Sequence, residues 1–136
     1  MPKTVADVMS HRVISCHPQT PIRRCARRMR ENDVSALIVL DDDGHLAGIL
    51  SQTDLVTLRA YRPEWEEMVA EHAMIRNVLT VTPDTPLEEA CDLMARLRVH
   101  RLVVVEEDEN GKHPIGVLSM TDVVREMAEG DENANA

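Results

Sequence analysis

The chain repeats itself along most of its length. Met9 to Leu40 aligns with Met74 to Val105 at a constant offset of 65 residues. Met9/Met74, Val13/Val78, Pro18/Pro83, Thr20/Thr85, Pro21/Pro86, Met29/Met94, Val34/Val99, Leu37/Leu102 and Val39/Val104 are identical pairs. After a short insertion in the second copy the offset becomes 68, and Gly48-Ile49-Leu50-Ser51-Gln52-Thr53-Asp54 faces Gly116-Val117-Leu118-Ser119-Met120-Thr121-Asp122. An internal repeat constrains the architecture before any single element is read, because whatever one copy folds into, the other must too. A unit of roughly 60 residues buries little of its own chain. The two copies, which fill nearly everything between residues 5 and 129, are therefore expected to pack on each other and fold as one pseudo-twofold module.

Each copy reads the same way. A short β-branched run, Val13-Ile14-Ser15 or Val78-Leu79-Thr80-Val81, leads into a turn at Pro18 or Pro83. Thr20-Pro21 and Thr85-Pro86 then read as an N-cap with proline at the first helical position. Glu88, three residues after Thr85, completes a capping box. Ile22, Cys25, Ala26 and Met29, like Leu87, Ala90, Cys91 and Met94, fall at i, i+3, i+4 and i+7, one buried helical stripe. Two apolar runs split by an acidic turn follow: Ala36–Leu40 and Leu46–Leu50 around Asp41-Asp42-Asp43-Gly44, then Leu102–Val105 and Ile115–Leu118 around Glu106 to Lys112. A second helix starts near Thr53 and again near Thr121. The unit is β-α-β-β-α, an α/β fold. Copy one is read as 5–62, a helical connector as 63–73, copy two as 74–129 and a disordered polar tail as 130–136. Within the connector, Pro63 followed by Glu64-Trp65-Glu66-Glu67 marks a fresh helix start, with acids at the positive end of its dipole.

Composition narrows the function classes. Lys plus Arg is 15 against 24 for Asp plus Glu, a formal charge of −9. That average field repels a polyanion, so no nucleic-acid partner is expected. Phe is absent, with one Tyr and one Trp, which removes the aromatic platforms that stack bases or sugars. The apolar runs fall far short of a membrane span, the N-terminus lacks a secretory h-region, and a cytoplasmic location is expected. Cys16, Cys25 and Cys91 are odd in number without CxxC spacing, against a disulfide framework or structural zinc. Cys25 and Cys91 sit on the buried stripes as small core residues. Neither the six histidines with these cysteines, nor any Ser-His-Asp or Cys-His set, has a spacing that supports a metal or catalytic centre. Asp54 and Asp122 occupy mirrored positions in different copies and are no glycosidase pair.

A duplicated β-α-β-β-α unit ending in Gly-h-h-Ser-x-Thr-Asp, h being an apolar residue, resembles a tandem pair of CBS domains, a Bateman module. The resemblance covers essentially the whole chain. It implies a stand-alone CBS-pair protein: two pseudo-twofold-related units packed sheet to sheet as one α/β module, without an attached catalytic, channel or DNA-binding domain. It implies as ligand an adenosine compound such as AMP, ADP, ATP, S-adenosylmethionine or NAD, with no obligatory cofactor. Many members carry proline in the second strand, where this chain has Ile38 and Val103.

Ser51-Gln52-Thr53-Asp54 and Ser119-Met120-Thr121-Asp122 carry the chemistry. By themselves they are capping boxes. The same geometry presents helix N-terminal N–H groups to a phosphate and a carboxylate to both hydroxyls of a ribose, and the duplication together with the resemblance favours that second use. The clefts implied by the resemblance lie between the copies. One takes Thr20, Ser35 and Ala36 with Val117, Ser119, Thr121 and Asp122. Its mate takes Thr85, His100 and Arg101 with Ile49, Ser51, Thr53 and Asp54. Val99-His100-Arg101-Leu102 resembles a phosphate-contacting segment of the family, where arginine forks onto oxygens and histidine adds a pH-dependent donor. With so few aromatic residues, adenine is expected between aliphatic side chains such as Ile14, Ala36 and Val117.

The expected function is a non-enzymatic regulatory module that reports an adenosine nucleotide to an unidentified downstream protein. The alternative is a ligand-free dimerisation scaffold, in which both Ser-x-Thr-Asp segments only cap helices. An enzyme acting on nucleotides ranks last, since no general base, nucleophile or metal set is visible. Arg23, Arg24, Arg27, Arg28 and Arg30 form the polar face of the first helix, by default a solvated face, and copy two reverses the sign with Glu88, Glu89 and Asp92. Modules of this kind pair through their helices, so the charges favour a head-to-tail homodimer in which the basic helix meets the partner's acidic one.

Overall fold

The computed structural model describes residues 2–129, so the tail read at 130–136 lies outside the described residues. Its chain divides into two compact units. The copy-one unit holds Val13–Val78 together with Glu107–His113. The copy-two unit holds the residues up to Arg12, Leu79–Glu106 and those from Pro114 onward.

In the copy-one unit, β1 (Ser15–Cys16), α1 (Ile22–Asn32), β2 (Ala36–Leu40), β3 (Leu46–Ser51) and α2 (Gln52–Tyr61) follow the expected order. The sheet runs β1-β2-β3, with β1 parallel and β3 antiparallel to β2. The copy-two unit repeats it with β4 (Thr80–Val81), α3 (Leu87–Leu97), β5 (Arg101–Asp108), β6 (Gly111–Ser119) and α4 (Met120–Ala128), its sheet ordered β4-β5-β6. Ile38 and Val103, at the positions where proline is common, use the N–H that proline lacks. They donate to Ile14 O at 3.0 Å and Leu79 O at 3.2 Å, which joins the second strand to the first. Of the expected helical stripes, Ile22, Cys25 and Met29 on α1 and Leu87, Ala90 and Met94 on α3 are buried, whereas Ala26 is exposed and Cys91 only half-buried. No described helix is long and apolar enough to cross a membrane.

Three local readings are corrected. Thr20 and Thr85 do not cap α1 and α3, and Glu88 closes no box, because the cap positions are Pro21 and Pro86 without a side-chain bond. Each threonine instead closes the preceding turn, accepting from His17 N at 2.9 Å and from Thr82 N at 3.2 Å. The helices need no side-chain cap at their first N–H, since Ile22 N donates to Met68 O and Leu87 N to Lys3 O, both at 3.0 Å. The fresh helix read after Pro63 is two separate 3-10 turns, Trp65–Glu67 and Ala70–His72. The second of these stands at the repeat offset from a third turn, Val5–Asp7, so the repeat includes a lead-in segment before each copy.

Each lead-in is threaded into the core of a unit. Ala70, with no exposed surface, packs with Cys16, Cys25, Met29, Leu37, Val39 and Leu50. Val5 and Met9 pack with Val81, Leu87, Ala90, Met94, Leu102, Val104 and Leu118. Ala70 N and Glu71 N donate to Thr20 O and Pro18 O, as Val5 N and Ala6 N donate to Thr85 O and Pro83 O, all at 2.9 Å. Beyond the turn, the lead-in joins the third strand by a two-way bridge. Ile75 and Ile49 exchange both backbone bonds, as do Ser10 and Val117, all at 2.9 Å. These bridges explain the glycine that opens each Gly-h-h-Ser-x-Thr-Asp run. A Cβ on Gly48 would stand 2.8 Å from Ile75 O, and one on Gly116 would fall on Ser10 O.

Gly116→Ala is therefore expected to push the lead-in off β6 and cost about 1–3 kcal/mol, the usual cost of overpacking. Urea unfolding of this variant beside Val124→Ala, whose parent side chain is 61% exposed, checks the assignment. Equal stability of the two variants would contradict it.

Candidate functional site

The two Ser-x-Thr-Asp segments form matching strand-to-helix junctions. β3 delivers Ser51 and β6 delivers Ser119 in extended conformation, and the helix begins at the next residue. The hydroxyl of Ser51 accepts from Asp54 N at 3.3 Å, and that of Ser119 accepts from Asp122 N at 3.1 Å. In return, Asp54 Oδ2 accepts from Ser51 N at 2.8 Å and Ser51 Oγ at 2.9 Å. Asp122 Oδ2 accepts from Ser119 N and Ser119 Oγ, both at 2.9 Å. These are reciprocal capping boxes. Each occupies one carboxylate oxygen. Asp122 Oδ1 lies 3.5 Å from Arg125 Nη1, and the Asp122 side chain is only 12% exposed. Both carboxylates thus sit half-buried at a helix N-terminus, with a second oxygen outside the cap.

Two segments of the expected clefts, Ser35-Ala36 and His100-Arg101, lie beside these junctions. Gln52 N donates to Ser35 O and Met120 N to His100 O, each at 3.0 Å. Ser35-Ala36 therefore abuts the Ser51–Asp54 junction of its own unit, and Ala36 is the register partner of Ser51. His100-Arg101 abuts the Ser119–Asp122 junction in the same manner. The approach is set by the helix ends. Asp33 and Arg98 adopt left-handed conformations at φ 52° and 54°. Val34 N and Val99 N then reach back to Met29 O at 3.0 Å and Met94 O at 3.1 Å, closing the helix and turning the chain into the next strand. Thr53 and Thr121, in the first turn of their helices, are exposed, as is His100, whereas Arg101 is half-buried.

Not every expected residue gathers there. Thr20 is buried and Thr85 half-buried, both with their hydroxyls engaged in the preceding turn. Ile49 and Val117 are tied to the lead-ins by backbone bonds. Ser35 lines a groove of about 660 Å³ with Arg30, Val34 and Gln52, while Asp54 lines a separate depression of about 240 Å³ with Tyr61, Arg62 and His72. Cys16 and Cys25 are buried and Cys91 is half-buried, and the hydrogen bond to Cys16 holds the Cys25 thiol below its ordinary range. The adjacent Cys25 thiol, together with burial, pushes the Cys16 thiol far above its ordinary range, and burial raises that of Cys91. Among the described residues, spacing also missed two clusters of ligand-type side chains, one of them Asp41, Asp43 and His45 within a single turn. In the other, His45, Asp108 and His113, from segments distant in sequence, bring ligand-type atoms within 4.8 Å of one another.

The chain is thus a duplication of one β-α-β-β-α unit, each copy carrying a capped strand-to-helix junction. The CBS domain family profile matches residues 5–61 and 69–129. The chain belongs to the CBS-domain family as a tandem pair. The CBS domain pair of protein MJ0100, solved with 5′-methylthioadenosine and S-adenosyl-L-methionine, superposes with a TM-score of 0.86 at 22% identity, over 96% of this chain and 100% of that one. CBSX2 from Arabidopsis thaliana, solved in complex with AMP, superposes with a TM-score of 0.80 at 30% identity, over 93% of this chain and 97% of that one. Protein MK0525 of Methanopyrus kandleri is 29% identical over 123 residues, and this chain spans 90% of itself but 61% of that relative.

The junction geometry sets a stability expectation. Ser119→Ala removes the hydroxyl that serves Asp122 N and is expected to cost about 1 kcal/mol. Ser119→Thr, which keeps an acceptor, should cost less, and chemical denaturation ranks the two. An alanine variant as stable as the parent would show that the box does not hold α4.

Proposed function

We propose that this chain is a regulatory module whose strand-to-helix junctions bind an adenosine nucleotide, without catalysing its conversion. The observation that carries this reading is the pair of carboxylates, Asp54 and Asp122, which cap their helices with one oxygen and keep the other outside the box. A carboxylate so placed accepts ribose hydroxyls without giving up the cap. The helix N-terminus beside it, with Thr53 or Thr121 exposed in its first turn, suits a phosphate. Arg101 adds a permanent positive charge at one junction only, with the His100 imidazole beside it. Phosphate-rich ligands are therefore expected to depend on that junction more than on its counterpart. The AMP held by CBSX2 supports the choice of ligand class, among AMP, ADP, ATP, S-adenosylmethionine and NAD.

A thermal-shift panel of these compounds tests the reading. A ligand at a hundred times its Kd stabilises by about 2.7 kcal/mol, a rise in Tm on the order of 10 °C for a chain of this size. Asp122→Asn retains an acceptor for the cap yet loses the charged one, and is expected to weaken binding at its junction by about 1.5–3 kcal/mol. Arg101→Ala should weaken ATP and ADP more than adenosine. No shift with any compound would leave the ligand-free scaffold as the reading.

The scaffold reading shares one element with the first, a homodimer. Val56 on α2 and Val124 on α4 stand at equivalent positions and are 68% and 61% exposed, with Met127 at 70%. Arg23 lies 3.2 Å from Glu66 and against the Trp65 ring, Arg28 donates to Ser15 O, and Asp92 lies 3.3 Å from Arg96. The exposed charges left to orient a partner include Arg24, Arg27 and Arg30 against Glu88 and Glu89, which favours the head-to-tail arrangement. Arg24→Glu with Arg27→Glu is expected to dissociate the dimer in sedimentation at low salt, and adding Glu88→Lys with Glu89→Lys to restore it. A double variant that stays dimeric would remove the charge argument.

A further inference from the structure

We propose that His45, Asp108 and His113 form a binding site for one divalent transition-metal ion within the copy-one unit. Their ligand-type atoms converge within 4.8 Å, from the β2–β3 turn and from the facing ends of β5 and β6, where residues 107–113 belong to the same unit. His45 Nε2 lies 3.4 Å from Asp108 Oδ1. Ligand atoms around a tetrahedral zinc, each at about 2.0–2.1 Å, stand roughly 3.3 Å from one another. His113 Nε2 is in close contact with the other oxygen, Asp108 Oδ2. The two rings face each other with centroids 4.3 Å apart and planes tilted by 40°, so their nitrogens crowd one point without stacking flat.

The second observation is independent of the clustering. Among the described residues, His45 Nε2 is the buried side-chain nitrogen or oxygen atom with no hydrogen-bond partner. It stands near a carboxylate oxygen but out of line with it. An unmet buried polar atom costs free energy, and an ion between the imidazole, the carboxylate and the second imidazole meets all three at once.

The surroundings suit such a site. His45 Nδ1 faces Asp41 Oδ1 at 3.9 Å, on the side where a metal-ligating histidine customarily finds a carboxylate that fixes its tautomer. Asp41 Oδ1 is itself fixed by Asp43 N and His45 N, both at 2.9 Å. Asp108 Oδ1 is oriented by Asn110 N at 2.8 Å and Gly111 N at 2.9 Å. Gly111, at φ 151°, lets the turn close on the ring, since a Cβ there would stand 3.0 Å from His45. Two imidazoles and one carboxylate select a borderline ion such as zinc, cobalt, nickel or copper over magnesium or calcium, which prefer oxygen sets. Three protein ligands leave at least one position open to water.

The test uses the tag-free chain, stripped with chelator and titrated with Co²⁺ followed by absorption and with Zn²⁺ in competition. One saturating equivalent is expected. His113→Ala and Asp108→Asn should each weaken it at least tenfold, and His45→Gln likewise, with unchanged circular dichroism. Asp108→Asn keeps an acceptor for the turn, so its loss of metal does not report unfolding. His17→Ala, which removes another surface histidine paired with an aspartate, should bind as the parent does. Absence of saturable binding, or binding in His113→Ala and Asp108→Asn equal to the parent, would overturn the proposal, as would equal loss in His17→Ala.

Discussion

The lead-in carbonyls hold this fold together. Met68 O and Lys3 O receive the first N–H of α1 and α3, where proline occupies the cap and no side chain answers. The same two segments drop Ala70 and Val5 into the cores and finish as bridges on β3 and β6. A helix cap, a core filling and an edge cover are thus supplied by one short stretch of chain. Removing it would expose the unsatisfied helix N-terminus, a cavity and an unpaired strand edge together. The glycine at 48 and at 116 follows from the same constraint, since the bridging backbone comes too close for a side chain.

That constraint also separates what the sequence disclosed from what it hid. The body of each copy was legible because its signals are local and periodic: the stripes of α1 and α3, the paired apolar runs, the Ser-x-Thr-Asp start of the second helix. The Thr-Pro start failed because N-capping is a competition. Thr20 and Thr85 found better use in the turn before, and the helix found its acceptor far along the chain. The helix read after Pro63 failed similarly. Its acidic start was genuine, but burial of Met68 and Ala70 against copy one broke the stretch into two tight turns. Of the candidate site, the junction residues could be read because the motif carries its own geometry. His45, Asp108 and His113 could not, because their proximity depends on where a hairpin tip lands.

On the proposed reading, a structural device at each junction also serves recognition. A capping carboxylate has two oxygens and the box uses one. Whatever else binds there inherits a side chain whose position is already fixed by two hydrogen bonds, so less freedom is lost on binding. The duplication then offers two such positions, and divergence acts on their flanks. Ser35-Ala36 is small and neutral beside one junction, while His100-Arg101 is cationic beside the other. An identical scaffold thereby presents two different electrostatic environments.

The offset between the copies changes from 65 to 68 in one place, the turn between their last two strands. Copy one crosses that turn through Asp41 to Gly44, with Asp41 accepting from its own turn backbone. Copy two carries the insertion, lengthens its strands to Arg101–Asp108 and Gly111–Ser119, and so extends Asp108 and His113 beyond the point where copy one ends. A surface turn tolerates added residues at little entropic cost, so it is where a repeat is free to lose its symmetry. Here the added length takes a histidine and an aspartate out to the turn that holds His45. The two copies keep their common fold through the lead-ins and differ in chemistry at the one turn whose length the fold leaves open.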